Sequence, residues 1–199
     1  MIKIVVFVSL TLDGVMQSPA RPDEDRRGGF EHGGWAVPYS DPSDPVEQEL
    51  LGQSMSAAGS LLLGRRTYED FYSVWPNRTD NPFTEILNAS TKYVASRTLR
   101  EPLPWQNSVL LSGDAADGVA QLRDEPGKDI VILGSGELVR SLMRRDLIDR
   151  YVLQIAPLVL GSGKRLFADD GTQARMRLVD VRHTRAGVVV ATYEPAKSG

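Results

Sequence analysis

Residues 2–9 are almost continuously apolar and β-branched, and the chain turns soon afterwards at Asp13-Gly14. That pattern predicts a strand covered on both faces, as in the centre of an α/β sheet. From 17 to 45 the chain is broken repeatedly by Pro, Gly and charge, which predicts a long loop. Loops of that length in compact domains are commonly lids, and Phe30, His32, Trp35 and Tyr39 favour a lid here. Asp44, Pro45 and Glu47 have the spacing of a helix cap, first-turn proline and capping-box glutamate. Val46, Leu50, Leu51, Met55 and Ala58 then share one helical face.

Residues 60–63 read as a short buried strand running into Gly64-Arg65-Arg66-Thr67, followed by a helix over 68–75. Further strands are predicted at 92–96, 109–111 and 129–133, with a helix over 115–124. Gly134-Ser135-Gly136 opens another helix, in which Leu138, Leu142 and Met143 share a face and Arg144-Arg145 sit near the negative end. Residues 151–160, 175–183 and 188–193 read as strands without long helices between them, so this part should be antiparallel or mixed. The pattern predicts one α/β domain over 1–195, with a mostly parallel twisted sheet, helices on both faces, an antiparallel C-terminal edge and a frayed tail at 196–199.

Composition narrows the possible chemistry. The chain has 199 residues, a net charge of −3 and scattered basic residues, which argues against a nucleic-acid partner. Cysteine is absent, so disulfides, thiolate nucleophiles and cysteine-held metal are excluded, and no metal is expected. No apolar stretch approaches the roughly 18 residues of a membrane span. The first strand also lacks a basic leader, so a cytoplasmic protein is expected.

Three strand ends carry candidate chemistry. Gly134-Ser135-Gly136 could cradle a phosphate at a helix N-terminus, or be a tight turn and nothing more. Gly64-Arg65-Arg66-Thr67 adds two guanidinium groups and a hydroxyl, and Ser96-Arg97-Thr98 adds another Arg. Ligands of open α/β sheets lie outside the carboxyl ends of the strands, so these motifs should converge on one nucleotide. Arginines beside it favour NADPH over NADH.

Ser9-Leu10-Thr11-Leu12-Asp13-Gly14, Leu63-Gly64-Arg65-Arg66-Thr67-Tyr68-Glu69, Ser96-Arg97-Thr98-Leu99, Ile132-Leu133-Gly134-Ser135-Gly136 and Pro157-Leu158-Val159-Leu160-Gly161 occur in an order that resembles the dihydrofolate reductase superfamily. The chain is most similar to the C-terminal reductase domain of the bifunctional riboflavin-biosynthesis deaminase/reductase. The resemblance implies a three-layer dihydrofolate reductase-like fold, NADPH as cofactor, hydride transfer to a small pterin-, pyrimidine- or riboflavin-precursor-like heterocycle, and a homodimer. It places Gly64, Arg65, Arg66 and Thr67 at the first phosphate-contacting turn and Ser96 and Arg97 at the 2′-phosphate. Gly134, Ser135, Gly136 and Glu137 match the second phosphate-contacting turn. Leu158, Gly161 and Gly163 match the loop near nicotinamide and substrate. A zinc deaminase is not expected without cysteine, and a non-catalytic NADPH-binding or sensing protein of the same fold is the alternative.

Hydride reduction needs a proton source or a group that binds the polarised substrate. Asp13, just beyond the first strand, is the first candidate, since partial burial there would raise its pKa; a plain Asp-Gly turn is the alternative. Glu47 and Glu49 are second candidates, although Glu47 also has a capping role. His32 reads as a loop histidine and His183 as a surface one. Trp35, Phe71, Trp75 and Tyr39 could stack on a flat ring, with Trp35 the better choice.

Overall fold

A computed structural model describes residues 1–81, 83–167 and 169–196, with the side chains of 51 and 53–58 excepted. The described chain forms an eight-stranded sheet in the order β4-β3-β2-β5-β1-β6-β8-β7. Its strands are β1 (Ile4–Thr11), β2 (Ala58–Gly64), β3 (Thr91–Ala95), β4 (Ser108–Leu111), β5 (Asp129–Leu133), β6 (Arg150–Ala156), β7 (Met176–His183) and β8 (Val189–Pro195). Six strands pair parallel, and β8 and then β7 add antiparallel at one edge.

The helices are α1 (Pro45–Ala57), α2 (Arg65–Val74), α3 (Phe83–Ala89), α4 (Ala115–Asp124) and α5 (Gly136–Met143). Alternation along β1 sorts them into layers. Ile4, Val6, Val8 and Leu10 bury against the side of Val119, Leu122, Leu138 and Leu142 from α4 and α5. Val5 and Phe7 face the opposite layer, where Tyr68 of α2 and Leu87 of α3 pack with Trp105. This is the α/β architecture that the hydrophobic pattern and the resemblance both implied.

Three expectations are corrected. α3 was not foreseen, because seven residues are too few to show a helical period; it begins where Asn81 Oδ1 accepts the Phe83 N–H at 2.9 Å. β6 stops at Ala156 rather than at 160, since Pro157 has no N–H for the ladder. The capping box is altered: Asp44 Oδ1 accepts the Val46 N–H at 2.8 Å as expected. Glu47, however, reaches back to the Asp41 N–H, because the Asp44 N–H is taken by the Asp41 carbonyl. On α1, Leu50 is buried and Val46 half-buried. The expected contributions of Leu51, Met55 and Ala58 lie outside the described side chains, and 197–199 of the expected frayed tail lie outside the described residues.

Candidate active site

The turns leaving β2 and β5 are bound to each other. Ser135 Oγ accepts the Gly64 N–H at 2.9 Å and donates to Thr67 Oγ1 at 2.8 Å. To aim that hydroxyl, Ser135 takes a left-handed conformation with φ 58°, after Gly134 at φ 68°. Side chains are excluded closely at this junction: a Cβ at Gly136 would lie 2.6 Å from Met16 Sδ, and one at Gly64 would lie 3.3 Å from Ser135 Oγ. The N-termini of α2 and α5 therefore open side by side, with unsatisfied N–H groups and positive dipole ends suited to a polyanion.

Both helix starts line a cleft of about 1130 Å³. Arg65, Arg66 and Arg97 line it too, as do Lys164 and Arg165 from the loop after β6. Arg65 pairs with Glu69 at 3.2 Å, and Arg66 approaches Glu137 at 3.9 Å. Arg97 is exposed beyond a turn in which Ser96 Oγ accepts the N–H groups of Thr98 and Leu99.

Residues 17–20 and 24–27 of the long loop line this cleft, and the loop is tied down by polar contacts at its root. Gln17 donates through Nε2 to the carbonyls of Asp25 and Arg27, at 3.1 and 3.0 Å, and accepts the Lys164 N–H at 2.9 Å. Arg21 bridges the loop to Asp70 of α2 at 2.5 Å. Nearby Glu24, also lining the cleft, is raised in pKa by burial and by Asp70, against the N–H groups of Ala20 and Arg21. Farther along, Val15, Phe30 and Trp35 form a small core with Ala156, and Trp35 Nε1 donates to the Gln17 carbonyl at 2.8 Å.

A second cavity of about 270 Å³ lies beneath the same loop, lined by Trp35, Tyr39, Glu47 and Gln154 among others. Ser9, Pro19 and Ala20 line both spaces, so the large cleft and the small cavity meet at the carboxyl end of β1. Glu47 stands at the start of α1, its carboxylate accepting from Ser40 Oγ and the Asp41 N–H, both at 3.0 Å.

Most of the residues named from sequence converge here. Gly64, Arg65, Arg66, Thr67, Ser96, Arg97, Gly134, Ser135, Gly136, Glu137 and Phe71 line the cleft, and Trp35 and Glu47 line the small cavity. Others line neither. Leu158 packs against the cluster of Val15, Phe30 and Trp35, and Gly163, at φ 114°, is pressed against Phe30 and Val15. Trp75 sits in the α2–α3 core with Arg78 over its ring. Glu49 pairs with Arg182, while His32 and His183 are exposed.

Asp13 departs furthest from expectation. Its carboxylate accepts from Thr11 Oγ1 at 2.6 Å, Gly161 N at 2.9 Å and Leu160 N at 3.2 Å, and pairs with Arg165 at 3.4 Å. The Thr11 hydroxyl above all, with the two backbone N–H groups, overcomes the effect of burial and holds the pKa at about 2. The expected upward shift is thus reversed, and both Asp13 and Gly161 are spent tying the β1 turn to the loop after β6.

Sequence reasoning missed Ser9, Gln17, Arg21, Glu24, Gln154, Lys164 and Arg165. Gln154 did carry a signal, being an amide within an apolar strand. Ser9 lies in β1, whose apolar run marks burial but not a site, and the rest sit in irregular chain where no period marks direction.

Among the described residues no helix is long and apolar enough to cross a membrane, and no group of three or more His, Cys, Asp or Glu is arranged to hold a metal. The chain is 28% identical over 196 residues to the uncharacterized protein YyaP of Bacillus subtilis (strain 168), covering 96% of this chain and 94% of that one. A crystal structure from Shewanella sp. PV-4, provisionally assigned to riboflavin biosynthesis, superposes with a TM-score of 0.75 at 22% identity over 98% of this chain and 100% of the other. Dihydrofolate reductase from Enterococcus faecalis, solved with NADP(H), superposes with a TM-score of 0.61 at 12% identity, covering 98% and 97% of the two chains. The profile of the RibD C-terminal domain family matches residues 2–190, nearly the whole chain, and the protein belongs to that family.

Proposed function

We propose that the protein is an NADPH-dependent reductase that transfers hydride to a small heterocyclic substrate. The observation that carries this reading is the meeting of two unlike spaces at Ser9, Pro19 and Ala20. One is a long cleft with two helix N-termini and several arginines along it; the other is a small pocket with aromatic walls and a few polar groups. The residues fit the dinucleotide: Gly64, Thr67 and Gly134 to Glu137 would hold the pyrophosphate, and Ser96 and Arg97 the 2′-phosphate. NADPH bound there supplies the hydride.

The chain's own part is positioning and exclusion of water. The Arg21–Asp70 contact holds the loop over the cleft, and the Trp35 ring is fixed by its bond to Gln17. Asp13, ionised and outside both cavities, is not the proton donor in this reading. Glu47 or a water beside it takes that place, with Glu47 also anchoring the substrate. The reading includes a cytoplasmic homodimer, for which the exposed Leu178, Val179 and Val181 of β7 offer an apolar edge.

Titration with both cofactors tests the proposal. NADPH should bind at least about tenfold more tightly than NADH, since a bidentate Arg–phosphate contact discriminates by over about 1 kcal/mol. Arg97→Ala should remove most of that preference. Equal affinities would overturn the 2′-phosphate assignment. NADPH oxidation against pterins, folates and ribosyl-pyrimidines then tests turnover, and binding without turnover of any of them would favour a sensing protein.

A further inference from the structure

Among the described residues Met16 is the one methionine that lines either cavity; Met1, Met143 and Met176 line neither. Its half-buried side chain packs against the core beside β1 and brings the sulfur to the first residue of α5, where a Cβ at Gly136 would lie 2.6 Å from Sδ. The same spot is 3.4 Å from Arg140 Nη1. The backbone of the methionine is pinned, its N–H donating to the Lys164 carbonyl at 2.9 Å. The hydroxyl placed to cap α5 is spent elsewhere: Ser135 Oγ bonds to Gly64 and Thr67 and gives the helix no side-chain cap. A thioether is only a weak acceptor, so it leaves the first N–H groups of α5 open to a ligand.

We propose that Met16 is a redox-modification site: a hydroperoxide converts its thioether to the sulfoxide, and the sulfoxide oxygen closes the α5 N-terminus to phosphate. The inference rests on the reading of that turn as the pyrophosphate cradle. In the step itself a sulfur lone pair attacks one oxygen of hydrogen peroxide and the O–O bond breaks. The second oxygen leaves as hydroxide, takes the proton from the transferred oxygen and departs as water. Sulfur is oxidised by two electrons and the peroxide reduced by two. The new oxygen is a polar acceptor, so the apolar core behind Met16 excludes it, and Gly136 has no side chain to block its path. It turns to the uncapped N–H groups of α5 or to the Arg140 guanidinium, and either contact takes a donor from an incoming phosphate. Methionine sulfoxide reductases return the thioether, so the closure is reversible.

The test treats the whole protein with hydrogen peroxide, follows each methionine by peptide mass spectrometry, and measures binding of NADPH and of inorganic pyrophosphate by calorimetry. Affinity for both probes should fall at least about tenfold in step with the gain of one oxygen at Met16, and return after treatment with the two sulfoxide reductases. Met16→Leu, of similar length but without sulfur, should bind as wild type does and keep its affinity through the treatment. Met16→Gln, which carries a carbonyl acceptor to the same place, should bind at least about fivefold more weakly with no peroxide added. Met16 left unoxidised while Met1 is converted, full conversion of Met16 with unchanged affinity, or an equal loss in Met16→Leu overturns the proposal. The two probes separate the readings: untreated protein that binds pyrophosphate but not NADPH refutes the dinucleotide assignment alone, and the pyrophosphate titration still decides the role of Met16. Untreated protein that binds neither refutes both.

Discussion

Replacing Asp13 by Ala would leave the Thr11 hydroxyl and the Leu160 and Gly161 N–H groups without their acceptor. Hydrogen bonds to a charged acceptor contribute roughly 1.5–3 kcal/mol each at most, and solvent reaches part of this site, so a loss of about 2 kcal/mol is expected. The sign of its pH dependence follows from the lowered pKa. A carboxylate held at about 2, against an ordinary 3.8, stabilises the fold fully above pH 4, and that contribution disappears as pH falls towards 2. Melting curves of wild type and Asp13→Asn should therefore converge over that interval and stay parallel above it. In the same variant turnover should remain within about threefold of wild type. A loss of 10²-fold or more, with unchanged KM, would return Asp13 to the proton-donor role its position after β1 had indicated.

Helix and strand interiors were legible because their periods are written in side chains: α4 and β5 lie where the pattern puts them, at Ala115–Asp124 and Asp129–Leu133. The glycine turns after β2 and β5 were legible as well, but not the bond between them, since Ser135 meets Gly64 across 71 positions of sequence. α3 was hidden by its length, and what completes it is a lysine from the next strand. Lys92, fully buried on β3, donates to the carbonyls of Leu87 and Ser90, both at 2.7 Å, and lies over the Trp105 ring. Lys92→Met keeps the length but leaves those carbonyls unpaired, so a destabilisation of about 2–4 kcal/mol is expected in denaturant unfolding. A neutral result would show that water replaces the ammonium. Gly134 makes a different point: its added Cβ would lie 3.6 Å from Thr67, an ordinary contact, but at φ 68°. Gly134→Val should thus act through backbone strain of about 1–2 kcal/mol, shifting the turn and weakening NADPH binding while the protein stays folded. Unchanged binding in a folded variant would make the turn a connector only.

Across the whole molecule the sheet is protected unevenly. β4 at one edge has only four residues, a length that offers little to a partner. β7 at the other edge has eight, and most of its side chains are exposed. Leu178, Val179 and Val181 are 49%, 43% and 53% exposed, and Val189 of β8 lies beside them. A long, apolar edge normally needs a cover or a blunting charge. Arg177, Asp180 and Arg182 are at hand, yet each is engaged, with Glu194, with Arg182, and with Glu49 and Asp180 respectively. Neutralised in this way, they guard the edge less than free charges would. A second copy laid against β7 would cover the apolar positions and extend the sheet, and no residue of β7 itself lines either cavity. Val181→Lys should therefore convert a dimer to a monomer by light scattering at micromolar concentration, while NADPH affinity stays within about twofold. A monomeric wild-type protein, or a Val181→Lys variant that remains dimeric, would place the interface elsewhere and leave β7 defended by its own register shift at Leu178 and Asp180.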